Sequence, residues 1–207
     1  MSIVWPAISN QQIEEHASNL RQQALSYLNM EQTSEVPIEQ IAEMYLGYEL
    51  DFVEGIDGYP DDVIGGIDFE TNTILVNSAI ESHIGRYSFT IAHEIGHHVL
   101  HREEFYRQSK SKHIMCRGMK ERPIEEMQAD RFAESLLMPA NLVKEHFRKV
   151  RNKNIFKPEN PYIVASKVIE STGLNNVSVK AMVVRLNHLG LITKNPLFNK
   201  IYKLFSS

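Results

Sequence analysis

Apolar positions near the start of the chain recur every three or four residues. They are Ile13, Ala17, Leu20, Ala24 and Leu28. This spacing places them on one face of an α-helix, and Ser9 just before them is a residue type that caps helix N-termini. The pattern predicts an amphipathic helix of about five turns.

A second helix is predicted next, and the period of the pattern changes only after it. A helix is predicted from Pro37, whose fixed φ suits a first helical turn, to Gly47. Apolar and acidic residues then alternate over 48–52, which predicts a strand with one solvated face. Two apolar segments, 64–69 and 74–76, flank a short polar link and predict a hairpin. Together they predict a small antiparallel sheet.

Helical spacing returns after the predicted sheet. One long helix is predicted from about Ser82 to His101 and another from about Ile124 to Leu137, which Pro139 ends. The mainly polar residues between them predict a connection.

Capping residues predict two further helices near the end of the chain. Asn160-Pro161 starts one helix that Gly173 breaks, and Ser178 caps another that ends at Gly190. Two helices joined by a short turn resemble a helix-turn-helix, but many ordinary helical hairpins share the pattern.

Length and composition support one substantial core. With 207 residues and 43% apolar content, the chain is long enough for a single domain with a small appended subdomain. We predict an α+β fold: a mainly helical domain with a small antiparallel sheet over residues 1–143, followed by a helical C-terminal extension over 144–207.

Charge is distributed unevenly between these two parts. Residues 1–143 carry 10 Lys and Arg against 23 Asp and Glu, whereas residues 144–207 carry 12 against 3. A basic tail of this kind can dock on the acidic body, on an acidic partner or on nucleic acid.

Cysteine usage and hydropathy predict a cytoplasmic protein. The single cysteine, Cys116, cannot form an internal disulfide, and the first residues lack the features of a secretory signal. No apolar run approaches the roughly 18 to 20 residues that cross a bilayer, so no membrane anchor is expected.

The string His93-Glu94-Ile95-Gly96-His97 carries the strongest chemical signal. On a helix, positions i and i+4 share one face, so both imidazoles can bind one zinc ion while Glu94 reaches the water beside it. We predict one zinc per chain, bound by His93 and His97, with Glu94 as general base. His98 and His101 are expected to be solvated surface residues.

A catalytic zinc usually has three protein ligands, so a third must lie downstream. Glu126 and Asp130 are one turn apart on the second long helix, opposite its apolar face. We assign Glu126 to the metal and expect Asp130 to accept the free ring N–H of a liganding histidine, His93 being the favoured one. Glu125 is the rival ligand, but it falls toward the apolar side.

These motifs resemble those of the ImmA/IrrE family of bacterial and phage metallopeptidases. The resemblance is carried by residues 90–97 (TIAHEIGH), 126–133 (EMQADRFA) and 136–139 (LLMP). It implies a thermolysin-like zinc site with two histidines and one glutamate. It also implies a substrate: a partner helix-turn-helix repressor, whose cleavage switches on a mobile element or a stress response. A toxin paired with an antitoxin is a variant of this interpretation.

The expected reaction is peptide hydrolysis. Zinc lowers the pKa of its bound water from about 15.7 toward 7, and Glu94 accepts the proton and returns it to the leaving amine. Tyr106 and His113 are alternative donors to the oxyanion. Cys116 is a candidate regulatory thiol, because a thiolate could occupy the open zinc position and keep the enzyme latent.

Two other functions compete with proteolysis. One is a zinc-bearing regulator that binds a repressor without cleaving it. The other is a nucleic-acid-binding protein, based on the basic tail and the Lys180 and Arg185 side chains of the last predicted helix. Apolar residues occupy much of that helix, which makes DNA the less favoured partner.

Overall fold

The structure, a computed structural model, describes residues 4–31, 35–56, 63–108, 114–117, 123–152 and 160–192. Contacts divide the chain into two compact units, Met1–Leu137 and Met138–Ser207.

The first helix, α1 (Asn10–Tyr27), forms as the apolar spacing predicts. Ser9 caps it through a capping box, in which its side chain accepts from the Gln12 N–H while the Gln12 side chain accepts from the Ser9 N–H. The buried face consists of Ile13, Ala17, Leu20, Arg21, Ala24 and Leu25.

The second predicted helix consists of an α-helical turn followed by a π-helix. A single turn, α2 (Ile38–Gln40), continues directly as a π-helix (Ile41–Tyr45). Gly47 follows with φ +74°, a left-handed conformation that glycine adopts without steric strain. The helix therefore ends next to Gly47, as predicted.

The sheet contains the predicted hairpin. Strands β2 (Gly65–Asp68) and β3 (Thr73–Asn77) pair antiparallel, with Gly65 opposite Val76. The described strands have the order β1-β3-β2-β4, where β1 is Glu49–Val53 and β4 is Ile114–Arg117.

The sheet is mixed, whereas an antiparallel one was predicted. Strand β1 pairs parallel to β3, with Glu49 opposite Thr73. The most apolar strand, β3, takes a central place with Ile74 and Val76 fully buried, while β1 leaves Phe52 43% exposed at the edge. Strand β4 lies within the predicted polar connection and pairs antiparallel with β2. Both differences arise from strand pairing between distant residues, which local hydropathy does not specify.

Helix α3 (Ile84–Gln108) extends about two turns beyond its predicted end at His101. The extra turns are held by Phe105, which is buried with its ring edge-on to Phe69, at 5.2 Å between centroids. Helix α4 has the predicted bounds, Ile124–Leu137. Helix α3 contacts both α4 and the strands β2 and β3, and α1 packs on α4.

The second unit is helical in its described part. It comprises α5 (Ala140–Asn152), α6 (Pro161–Thr172) and α7 (Val179–His188). Asn160 and Ser178 cap α6 and α7, and Gly173 ends α6 with φ +75°, as predicted. Arg185 is fully buried, and its Nε donates to the Met138 carbonyl at 2.9 Å.

Helices dominate and the sheet is small, so the predicted α+β class is confirmed. Within the described ranges, no helix is both long enough and apolar enough to cross a membrane.

Candidate metal centre

The middle of α3 is buried on all sides. His93 is 1% exposed, and Glu94 and His97 are 0% exposed. Their apolar neighbours Ile91 and Ile95 are also fully buried. Because the sheet and α4 both pack on α3, polar side chains in its middle turns are enclosed by protein rather than by water.

Two glycines allow this close packing. A Cβ on Gly96 would lie 3.1 Å from the Ala129 Cα and 3.2 Å from both the Ala129 carbonyl oxygen and the Phe132 Cβ. A Cβ on Gly65 of β2 would collide with the Thr90 methyl group. Gly96 thus lets α4 approach α3.

Three side chains converge where α4 meets α3. The Nε2 atoms of His93 and His97 lie 3.0 Å apart, and each lies 3.2 Å from a carboxylate oxygen of Glu126. Ligands placed tetrahedrally at zinc-like distances of about 2.0 to 2.1 Å would be about 3.3 Å from one another. The triangle formed by these three side chains is close to that spacing, with the two histidines against different oxygens of Glu126, so the three could hold one metal ion. Among the described acidic and histidine side chains, these three form a ligand group, and Glu125 is not part of it.

The electrostatics of the group favour the forms that bind metal. Burial by itself would raise the pKa of Glu126, but the adjacent imidazoles of His93 and His97 outweigh burial and hold that pKa well below its usual range. Burial, reinforced by the neighbouring His93, lowers the pKa of His97. An ionised carboxylate and a neutral imidazole are the ligand forms that a metal requires.

Asp130 lies beside the first histidine. Its Oδ1 is 2.9 Å from the Nδ1 of His93. Because an ionised carboxylate only accepts hydrogen bonds, it selects the tautomer with the proton on Nδ1 and leaves the Nε2 lone pair facing Glu126.

His98 and His101 differ from expectation, because neither is a solvated surface residue. His101 is fully buried, with Nδ1 3.0 Å from the His97 Nδ1 and Nε2 2.9 Å from the Gln128 Oε1. Burial above all, and then the adjacent His97, lowers the pKa of His101 to about 3. His98 is partly buried, and its Nδ1 lies 2.8 Å from the Tyr48 hydroxyl.

His101 and Gln128 were not among the predicted site residues. The sequence does hold a signal for His101, because it lies four residues after His97, as His97 lies four after His93. That spacing continues the ligand face of the helix by one more turn.

Of the remaining candidates, the structure describes Tyr106 in full and does not bring it to the ligand group. Tyr106 lies in α3, about half a turn around the helix from His97, and its hydroxyl donates to the Phe69 carbonyl at 2.6 Å. His113 lies outside the described residues. Cys116 lies in β4 opposite Gly66, and its side chain falls outside the described part, so its regulatory role stays a prediction.

Comparison with known protein families gives a match that spans this centre. Residues 54–154 match the model of the IrrE N-terminal-like domain, a peptidase family. A comparison with curated proteins gives no match. The matched segment contains the whole ligand group, and this similarity agrees with the resemblance to the ImmA/IrrE family of metallopeptidases that the motifs predicted.

Proposed function

We propose that the chain is a zinc-dependent endopeptidase of the cytoplasm that cleaves a partner helix-turn-helix repressor. The observation that carries this proposal is the triangle of His93, His97 and Glu126 ligand atoms, with Glu94 buried in the same turn of α3 as His93. A peptidase-family match over the same residues supports it.

The donor set supports zinc as the metal. Two imidazole nitrogens and one carboxylate are a ligand set used by zinc peptidases, which keep the fourth position for water. When bound, zinc acidifies that water and polarises the peptide carbonyl.

Glu94 supplies the proton transfer. Its carboxylate faces β2, where Oε1 lies 3.1 Å from the position that a Cβ on Gly65 would occupy. Glu94 is fully buried and follows the ligand His93 directly in the chain, and in the proposed reaction it accepts a proton from the attacking water and returns it to the leaving amine.

The substrate class rests on the family resemblance. Repressors of this kind are themselves DNA-binding proteins, and their cleavage would relieve repression of a mobile element, a stress response or a toxin–antitoxin pair. The burial of Arg185 counts against DNA as the ligand of this chain, because that side chain is bonded to the Met138 carbonyl and does not reach the surface.

Co-expression with the product of the neighbouring gene, the expected repressor, tests the proposal. We expect the wild type to cleave the repressor, and both Glu94→Gln and chelation to abolish cleavage, because the amide cannot accept the proton. Equal cleavage by Glu94→Gln would exclude Glu94 as the base. A stable, uncleaved complex with the wild type would favour the non-proteolytic regulator.

A further inference from the structure

A chain of hydrogen bonds runs from the ligand His97 to the N-terminal segment. It passes through His101 and Gln128 and ends at the carbonyl of Pro6. We propose that His101 and Gln128 are positioning residues for His97, and that residues Val4–Pro6 anchor them. This inference rests on the proposed metal site.

The direction of the chain follows from its last member. The Pro6 carbonyl can only accept, so the Gln128 Nε2 must donate to it, at 2.9 Å. The Gln128 Oε1 then faces the His101 Nε2 at 2.9 Å, which makes that nitrogen the protonated one. The His101 Nδ1 is left to accept from the His97 Nδ1 at 3.0 Å.

The consequence reaches the metal ligand. Because His97 carries its proton on Nδ1, its Nε2 presents a lone pair toward Glu126 and the Nε2 of His93. A carbonyl oxygen three hydrogen bonds away thus selects the tautomer that can bind metal.

The two ligand histidines are oriented by different means. His93 has the carboxylate of Asp130, which is 30% exposed. His97 has a neutral, buried chain, since His101 is fully buried and Gln128 is only 5% exposed. A neutral partner orients the ring without placing a second negative charge in the interior, where an unpaired charge is strongly unfavourable.

The N-terminal segment is itself held in place. The side-chain amide of Gln108 at the end of α3 accepts from the Val4 N–H at 2.8 Å and donates to the Val4 carbonyl at 3.0 Å. The Trp5 ring lies edge-on to His101, at 5.1 Å between centroids. These contacts fix the Pro6 carbonyl relative to α3, so the segment ties α3 to α4 through Gln128.

Zinc affinity of the full-length chain, measured by competition with a chromophoric chelator, tests the proposal. We expect His101→Leu to weaken Zn2+ binding about 10- to 100-fold, the usual effect of removing the partner of a liganding histidine. His101→Asn should lose less Zn2+ affinity, because the asparagine side-chain oxygen can still accept a hydrogen bond from the His97 Nδ1. The matched control is His98→Leu, which removes a neighbouring histidine bonded to Tyr48 and should leave affinity unchanged.

Two further readouts separate positioning from folding. Unfolding of the metal-free variants reports the stability of the fold, and the visible spectrum of the Co2+-loaded forms reports ligand geometry. We expect a changed spectrum for His101→Leu and the wild-type spectrum for His98→Leu.

Wild-type Zn2+ affinity in His101→Leu would overturn the proposal. So would an equal loss in His101→Asn, or an equal loss in the control. A wild type that binds no Zn2+ would instead overturn the proposed function itself, so the two failures are distinguishable.

Discussion

Buried imidazoles in α3 each have a specific polar partner. His93 has Asp130, His97 has His101, and His98 has the hydroxyl of Tyr48. Burial favours the neutral ring in such places, because the low-dielectric interior disfavours the charged form. Protonation of His97 and of His98 should therefore oppose folding.

The His98 side chain gives a pH-dependent contribution to stability. Burial first, and then the charge of Arg102, lower its pKa from 6.5 to about 4. Between these two values the unfolded chain binds a proton that the folded chain does not, so the free energy of unfolding falls as the pH falls. Between pH 7.5 and pH 5, protonation of this histidine alone should reduce the free energy of unfolding by up to about 2 kcal/mol.

Urea unfolding of the metal-free protein at these two pH values measures the effect. We expect His98→Gln to show a smaller loss of stability at pH 5 than the wild type shows. The same pH dependence in both proteins would contradict the assignment of a neutral, partly buried His98.

Single residues were predictable where the chemistry is local. The roles proposed for His93, Glu94 and His97 follow from one helical turn, and Glu126 with Asp130 from another. Burial of His101 was not predictable in the same way, because its partner Gln128 lies 27 residues away. A polar side chain is expected at the surface unless its partner is known.

The contact between α3 and α4 assembles the site at the scale of elements. The histidines belong to α3 and Glu126 to α4, so the ligand triangle depends on the separation of the two helices. Gly96 sets that separation, because two of the atoms nearest to its Cβ position belong to the α4 backbone at Ala129. Backbone atoms cannot rotate away as a side chain can.

Gly96→Ala should therefore disturb the metal centre more than the fold. Alanine improves helix propensity by about 1 kcal/mol, whereas overpacking costs about 1 to 3 kcal/mol, so the net loss of stability should be about 1 kcal/mol. The displaced α4 would carry Glu126 away from the histidines and weaken zinc binding.

Chelator competition and thermal unfolding of the metal-free variant check these two effects separately. Wild-type zinc affinity together with wild-type or higher stability would show that the helices do not meet as closely as the structure indicates.

Whole elements were predictable where apolar spacing or capping residues mark them. The bounds of α4, the caps of α1, α6 and α7, and the β2–β3 hairpin all follow from such local signals. The parallel pairing of β1 and the presence of β4 did not, because a strand of four or five residues gains its stability from a distant neighbour.

Charge is unevenly spread at the scale of the molecule. The basic residues after position 143 include Arg148, Lys149 and Arg151, which lie exposed on α5. Lys149 forms an exposed ion pair with Glu145, whereas Val143, Phe147 and Val150 form the buried face. This helix therefore presents a basic surface that can meet acidic positions on a protein partner.

The α5 surface should steer the repressor to the enzyme. Replacing Arg148, Lys149 and Arg151 by Ser should slow repressor cleavage at low salt, and the difference from wild type should shrink as salt rises, because steering acts on the association rate. Zinc content should stay unchanged. The control is the replacement of Lys167 in α6 and Lys180 in α7, which should slow repressor cleavage less.

Salt-sensitive binding of duplex DNA, lost in the α5 variant while repressor cleavage stays at the wild-type rate, would contradict this prediction and favour a nucleic-acid-binding function.

The zinc content of two neighbouring variants tests the central claim most directly. After dialysis against a chelator, the wild type and Glu125→Ala should each retain about one zinc ion per chain, whereas Glu126→Ala should lose it, because Glu126 completes the ligand triangle with His93 and His97. Metal analysis of the three proteins, with unfolding curves as a control for the fold, gives the answer. Equal zinc retention by Glu125→Ala and Glu126→Ala would contradict the proposed metal centre.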